Sequence, residues 1–293
     1  MVRFDEIIYK KLTDAGVEIA KDVSARTLST FGSGGFVDYV VYPKNAEEVL
    51  TCVSAFEFKH VLGGGSNVLI SDNGLNAVLS MKKLKGYAFD GDILRASAGE
   101  YLPLLSKAAY ERELSGLEFA CGIPATVGGA VKMNAGAFGK EMAGVLKSVT
   151  LLKNGEIVST TPTELKMRYR DGRIGSAIVI EAELKLTSRE KEKIEYEMRE
   201  NDAARRRSQP KEPSLGSVFK RTGATAPAVY IQGCGLKGVR IGGAAVSGVH
   251  SNFIINMGGA TSRDYLRLVD KIKNEVRARY AVELEEEFVF LRD

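Results

Sequence analysis

Apolar residues at helical spacing, Phe4, Ile7, Ile8 and Leu12, run up to Gly16 and predict a short amphipathic helix. The β-branched run 37–42, stopped by Pro43, predicts a buried strand, and Asn45 with Glu48 predicts the capped start of a helix whose Val49, Val53 and Phe56 share a face. Two short apolar runs, 61–62 and 68–70, flank three glycines and meet the turn signal Ser71-Asp72-Asn73-Gly74, which reads as strand, loop, strand. From Gly86 the period falls to two, with hairpin turns at Asp90-Gly91 and Asn154-Gly155. A helix over about 102–112 separates these signals from a glycine-rich run beginning at Gly122. Thr187-Ser188-Arg189-Glu190 reads as a capping box opening a highly charged helix, with Ile194 and Met198 inward and Arg205-Arg206-Arg207 at its end. Strands around Val218 and 253–255 precede a helix over 262–280, in which Tyr265, Val269, Ile272 and Val276 form a core stripe.

Composition narrows the picture. The 293 residues, 44% hydrophobic and 27% charged, are those of a globular chain of about two domains. A formal charge of +4, with basic residues interleaved among acidic ones, argues against a polynucleotide partner. Cys52, Cys121 and Cys234 are far apart and odd in number, which speaks against a disulfide framework or a zinc site and for a reducing cytoplasm. The first sixteen residues alternate charged and apolar positions without a continuous apolar stretch, so neither a signal peptide nor a membrane span is expected.

Two stretches break the periodicity with glycine. In Gly63-Gly64-Gly65-Ser66-Asn67, bare backbone free to take φ > 0 can close its amides on a phosphate, which points to a nucleotide diphosphate. No Lys-Ser/Thr follows at the Walker position and no G-x-G-x-x-G opens onto a helix, so the commoner phosphate loops are set aside. A plain glycine-rich turn is the other reading, and this stretch alone leaves both open. The second stretch, 122–136, crowds small residues among apolar ones, as where backbone lies flat against a large planar ligand. Glycines that only permit close helix–strand packing would account for some of them.

LGGGSNVLISD at 62–72, GIPATVGGAVKMNAGAFG at 122–139, Tyr169-Arg170, GSVFK at 216–220, GLKG at 235–238, 246–256 with His250, and Leu284-Glu285-Glu286-Glu287 follow one another in order. Together they give the chain a close, nearly end-to-end resemblance to the UDP-N-acetylenolpyruvoylglucosamine reductase (UDP-N-acetylmuramate dehydrogenase) family, FAD enzymes of peptidoglycan precursor synthesis. The resemblance implies an α+β chain with an FAD-binding PCMH-type (vanillyl-alcohol-oxidase-like) region over 1–190, in subdomains of about 1–80 and 81–190, and a smaller α+β substrate-binding domain over 191–293. It implies FAD held by Gly63, Gly64, Gly65, Ser66 and Asn67 and by Gly122, Ile123, Pro124, Thr126, Val127, Gly128, Gly129, Asn134 and Gly136. NADPH would be the reductant and UDP-N-acetyl-3-O-(1-carboxyvinyl)-glucosamine the substrate. Many of the wider flavoprotein group attach flavin through a histidine in the glycine loop. Ser66 stands there, so the FAD is expected to be non-covalent and His60 structural.

Arg170, Ser217 and Glu287 match the family's catalytic set, with Tyr169 and Lys220 expected beside Arg170 at the substrate. A hydride arriving at C3 of the enolpyruvyl group leaves negative charge at C2 and its carboxylate, which a guanidinium can stabilise and a hydroxyl can quench with a proton. Several positions depart from the family pattern. Gly172 stands where a serine is frequent two places after the arginine, Arg221-Thr222 alter the loop after Ser217, and Ala245 replaces a frequent glutamine. The short spacing from Arg170 to Ser217 matches the family's shorter form, without an inserted substrate-covering tyrosine loop, and predicts a more open site. Residues 205–207 are candidates for the diphosphate, or a basic helix end complementing its dipole. Competing readings are a flavin oxidase or dehydrogenase of a small alcohol or hydroxy acid, and a nucleotide-binding module in which Ser217 is only a turn residue.

Overall fold

The computed structural model describes residues 3–221 and 223–293; Thr222, in the altered loop after Ser217, lies outside them. The described chain divides into two compact units. One comprises the N-terminal helix with Tyr39–Gly64 and Ala77–Ala204, the other Lys21–Asp38, Gly65–Asn76 and Arg205–Asp293. The chain passes from the first to the second inside the glycine loop, between Gly64 and Gly65.

In the first unit, the Asp5 carboxylate accepts from the Ile7 and Ile8 amides and so caps the Glu6–Asp14 helix. Asn45 does the same for Ala46–Ala55 through the Glu48 amide at 2.8 Å. Strand Val61–Leu62 pairs in parallel with Leu79 and Ser80. An antiparallel five-stranded sheet runs in the order Glu156–Thr160, Leu146–Lys153, Ile178–Lys185, Ile93–Ser97, Tyr87–Asp90. Its hairpins close where expected, with Gly91, Asn154 and Gly155 at positive φ. The central strand was not apparent from alternation, because Ile178, Val179 and Ile180 are all buried in succession.

The expected capping box is corrected by the structure. Thr187 and Ser188 pair as a strand with Ser115 and Leu114, and the charged helix begins at Lys191, its first turn closing on the Glu190 carbonyl. The helix is fastened instead by a buried carboxylate. Glu118 is 1% exposed, accepts from the Gly116 amide at 2.9 Å and from Ser115 Oγ, and faces Arg189 and Lys140 at 3.6 and 3.7 Å. Both cations reach on to Glu197 at 2.7 and 2.5 Å, while Asn201 Nδ2 donates to the Glu118 carbonyl at 3.1 Å.

In the second unit a four-stranded antiparallel sheet runs Ser214–Ser217, Phe253–Asn256, Ala244–Val246, Arg240–Ile241. Helix Ser262–Tyr280 buries Tyr265, Val269, Ile272 and Val276, the stripe read from the sequence, and Leu268 beside them. Its N-terminus is capped twice: by Thr261 in a capping box with Asp264, and by Asp72, whose two carboxylate oxygens accept from the Ser262 and Arg263 amides at 2.8 and 3.0 Å. Strand Val68–Ile70, leaving the glycine loop, pairs in parallel with Val289–Leu291 at the end of the chain. No helix among the described residues is long and apolar enough to cross a membrane.

Glu118→Ala should lower stability by about 3 kcal/mol, because the Ser115 and Gly116 donors and two cations lose a common buried acceptor. Urea unfolding measures it. A loss below about 0.5 kcal/mol would show the network to be idle.

Candidate active site

In the first unit the opening glycines of the loop lie against the second glycine-rich run. A Cβ on Gly63 would stand 2.5 Å from Thr126 Oγ1, and one on Gly64 would stand 3.3 Å from the Pro124 carbonyl. The run is held by Val127 N to Glu100 O and Gly128 N to Ala98 O, both 2.8 Å, and by Leu102 N to Ala125 O at 2.9 Å. Its glycines serve different ends. Gly128 packs on Ala98, whose Cβ lies 3.1 Å from where its own would be, whereas Gly129 meets only Thr126 Oγ1, at 3.6 Å. Val127 is fully buried in the core; Gly122 and Ile123 are partly exposed and Pro124 is exposed. Thr126 is 3% exposed, and its hydroxyl has no hydrogen-bond partner among the described residues. A buried, unsatisfied hydroxyl beside bare peptide is costly unless a ligand or water completes it. These residues fit a flat, hydrogen-bonding ligand such as a flavin nucleotide.

Arg170 belongs to the same unit. It sits at φ 56 in a tight turn closed by Arg168 N to Asp171 O at 2.8 Å and Asp171 N to Arg168 O at 3.0 Å. Its Nη2 donates to the Gly136 carbonyl at 3.0 Å, and its guanidinium lies 4.9 Å from the ring of Tyr169, which is 48% exposed. Non-glycine residues in the left-handed region cost roughly 1 kcal/mol or more and cluster at functional sites. Asn134 is fully buried at φ 42.

In the second unit Gly65, at φ 73, is forced to be glycine: a Cβ would come within 1.9 Å of the Leu28 carbonyl. Beyond the partly exposed Ser66, Asn67 binds the end of the chain. Its Nδ2 donates to the Glu287 carbonyl and its own carbonyl accepts from Val289 N, both at 2.9 Å. Residues 285–287 also pair with 218–220, through Glu287 N to Val218 O and Lys220 N to Glu285 O, both 2.8 Å. Glu287 is thereby set opposite Val218, the buried residue that follows Ser217, while Ser217 and Glu287 are themselves partly exposed. Ser217 itself follows Gly216, at φ 79, and pairs with Phe253. Asn252 clamps the same strand end, with Oδ1 accepting from Phe219 N at 3.1 Å and Nδ2 donating to Phe219 O at 2.9 Å.

The structure thus brings Ser217, Glu287 and Asn67 together within one unit, and Arg170, Asn134 and Gly136 together within the other. Lys220, expected at the substrate, holds Glu285 at 2.5 Å. Arg205 donates to Gln209 Oε1 at 3.1 Å at the end of its helix. His60 is buried, its carbonyl accepting from Leu79 N at 3.0 Å. Burial pushes the pKa of His250 down; its Nδ1 accepts from Asn252 N at 3.2 Å. The sequence shows Asp72 only as a turn residue and Asn252 only as part of the 246–256 motif, because the groups they clamp are distant along the chain or invisible to any local period. An Asp after a strand and a Thr-Ser pair before a helix were the available signals.

Residues 37–161 match the family model of an FAD binding domain, and residues 209–291 that of the UDP-N-acetylenolpyruvoylglucosamine reductase C-terminal domain. A UDP-N-acetylenolpyruvoylglucosamine reductase of Rubrobacter xylanophilus is 39% identical over 91% of this chain and 93% of its own length. One from Clostridium perfringens is 41% identical over 88% of each. The crystal structure of the UDP-N-acetylenolpyruvylglucosamine reductase from Thermus caldophilus superposes with a TM-score of 0.83, at 38% identity, over 94% of this chain and 99% of that one.

Thr126→Val keeps shape and removes the orphaned hydroxyl. FAD affinity, titrated on the ligand-free chain, should fall by roughly ten-fold while thermal stability without ligand holds or rises. Unchanged affinity would deny Thr126 a ligand role.

Proposed function

We propose, from the premise that this chain belongs to the UDP-N-acetylenolpyruvoylglucosamine reductase family, that it reduces the enolpyruvyl ether of UDP-N-acetylglucosamine to UDP-N-acetylmuramate, with NADPH as reductant, in the cytoplasm. The single observation that supports the residue assignment is the backbone pairing of 218–220 with 285–287, which brings the Glu287 backbone opposite Val218, the neighbour of Ser217, while Asn67 of the glycine loop holds the Glu287 carbonyl.

FAD, when bound, supplies the hydride chemistry linking NADPH to the substrate. The backbone of Gly63, Gly64 and Gly129, with the Thr126 hydroxyl, would hold it, and Ser66 in place of a histidine leaves it dissociable. Arg170 binds the enolpyruvyl carboxylate and stabilises the negative charge that gathers at C2 once C3 has gained a hydride. Its left-handed backbone and the Gly136 tether fix the guanidinium beforehand, so little reorganisation is needed when charge develops. Ser217 delivers the proton to C2 as general acid. Glu287, its backbone held by Val218 and Asn67, orients that hydroxyl. Tyr169, exposed beside Arg170, and Lys220, released from Glu285, would contact the rest of the UDP-sugar.

Under anaerobic conditions NADPH should bleach the yellow enzyme, and the UDP-sugar enolpyruvyl ether should restore its colour. Ser217→Ala should leave bleaching at the wild-type rate and slow the recolouring by about a hundred-fold or more. Recolouring at the wild-type rate in Ser217→Ala would remove the serine from the chemistry. Failure of the substrate to recolour the wild-type enzyme would overturn the function itself.

A further inference from the structure

The resemblance places Asn134 among the residues that touch FAD, but its side chain is buried and engaged with the protein at both ends. It is fully buried; Oδ1 accepts from Ala143 N at 2.9 Å and Nδ2 donates to the Arg168 carbonyl at 3.0 Å. That carbonyl also closes the turn bearing Arg170, by accepting from Asp171 N at 3.0 Å. The far side of the turn is docked as tightly. Gly172 N donates to Lys132 O at 2.8 Å, and a Cβ on Gly172 would stand 2.0 Å from Val131 O and 2.9 Å from Lys132 O. Lys132 Nζ adds a hydrogen bond to the Gly175 carbonyl at 2.8 Å.

We propose that Asn134 and Gly172 are positioning residues for Arg170: Asn134 holds one end of its turn by the Arg168 carbonyl, and the bare backbone of Gly172 presses the other end onto the Val127–Met133 helix. The glycine is the chain's departure from the frequent serine at that place. Any side chain there would collide with Val131 O, so the turn lies closer to the helix than a serine allows. Arg170 stands between these two fixed points at φ 56, with its guanidinium tied to the Gly136 carbonyl. A displacement of about 1 Å at either end moves the guanidinium off the anion it serves, and such misplacements cost roughly a hundred-fold in rate. This inference rests on the role proposed above for Arg170.

Three variants in the FAD-loaded enzyme test it. Asn134→Asp keeps the acceptor for Ala143 and the left-handed backbone but loses the donor to Arg168; Gly172→Ala adds the colliding Cβ; Arg170→Ala removes the group they serve. The first two should retain FAD and bleach with NADPH normally, yet recolour with substrate about ten- to a hundred-fold more slowly. Combined with Arg170→Ala, neither should slow recolouring further. The amides of 169–173 should exchange faster in Asn134→Asp than in wild type, a readout independent of activity. Loss of FAD from Asn134→Asp with normal recolouring of the loaded fraction would make Asn134 a ligand contact and overturn the proposal. So would unchanged amide exchange, or losses that multiply in the Arg170→Ala background. Normal recolouring by Arg170→Ala alone would instead sink the catalytic reading of Arg170, even with the exchange result in place.

Discussion

The end of the chain is held by backbone hydrogen bonds, and the placement of Ser217 and Glu287 depends on them. Residues 285–287 pair with 218–220, Glu287 and Val289 are bound to Asn67, and 289–291 pair with the strand that leaves the glycine loop. Each group involved is a peptide or amide, so the geometry is set by main-chain register and tolerates little drift. Without this clasp Glu287 would be one acidic residue among three at a solvated chain end. With it, the Glu287 backbone is held beside the neighbour of a serine seventy places earlier in the sequence and by a loop more than two hundred places earlier.

The glycines divide by what a side chain at each would strike. Gly65 and Gly172 would place a Cβ 1.9 and 2.0 Å from backbone carbonyls, so their bareness serves close approach of chain to chain. A Cβ on Gly129 would meet only Thr126 Oγ1, at ordinary contact distance, and Gly63 presents itself closely to the same unsatisfied hydroxyl. One short run of sequence therefore holds a structural glycine next to one suited to a ligand. Packing and binding are not alternatives for these loops; the first builds the surface used by the second.

Elements with a strong local period were legible beforehand. The Ser262–Tyr280 helix, the two hairpins and the strand–loop–strand around the first glycines follow from spacing and turn chemistry alone. The Ile178–Lys185 strand was not, since burial of consecutive residues erases alternation. Thr187 and Ser188 carried a helix-start signal but were taken by pairing with 114–115, a tertiary contact outweighing a local one. Within the site, the motif order named candidate residues but not how they are held. Nothing local distinguishes Asn67, which grips a distant carbonyl, from a ligand-facing asparagine, and nothing local reveals that Asn134 is fully buried.

The most direct test of the account is the coupling between Asn67 and Glu287. Recolouring of the NADPH-reduced, FAD-loaded enzyme by the UDP-sugar should be timed in Asn67→Ala, Glu287→Gln and the double variant. If Asn67 acts by holding Glu287, the double variant will be no slower than the slower single variant. Losses that multiply would show that the two residues work independently, and the clasp would no longer explain how the carboxylate is placed.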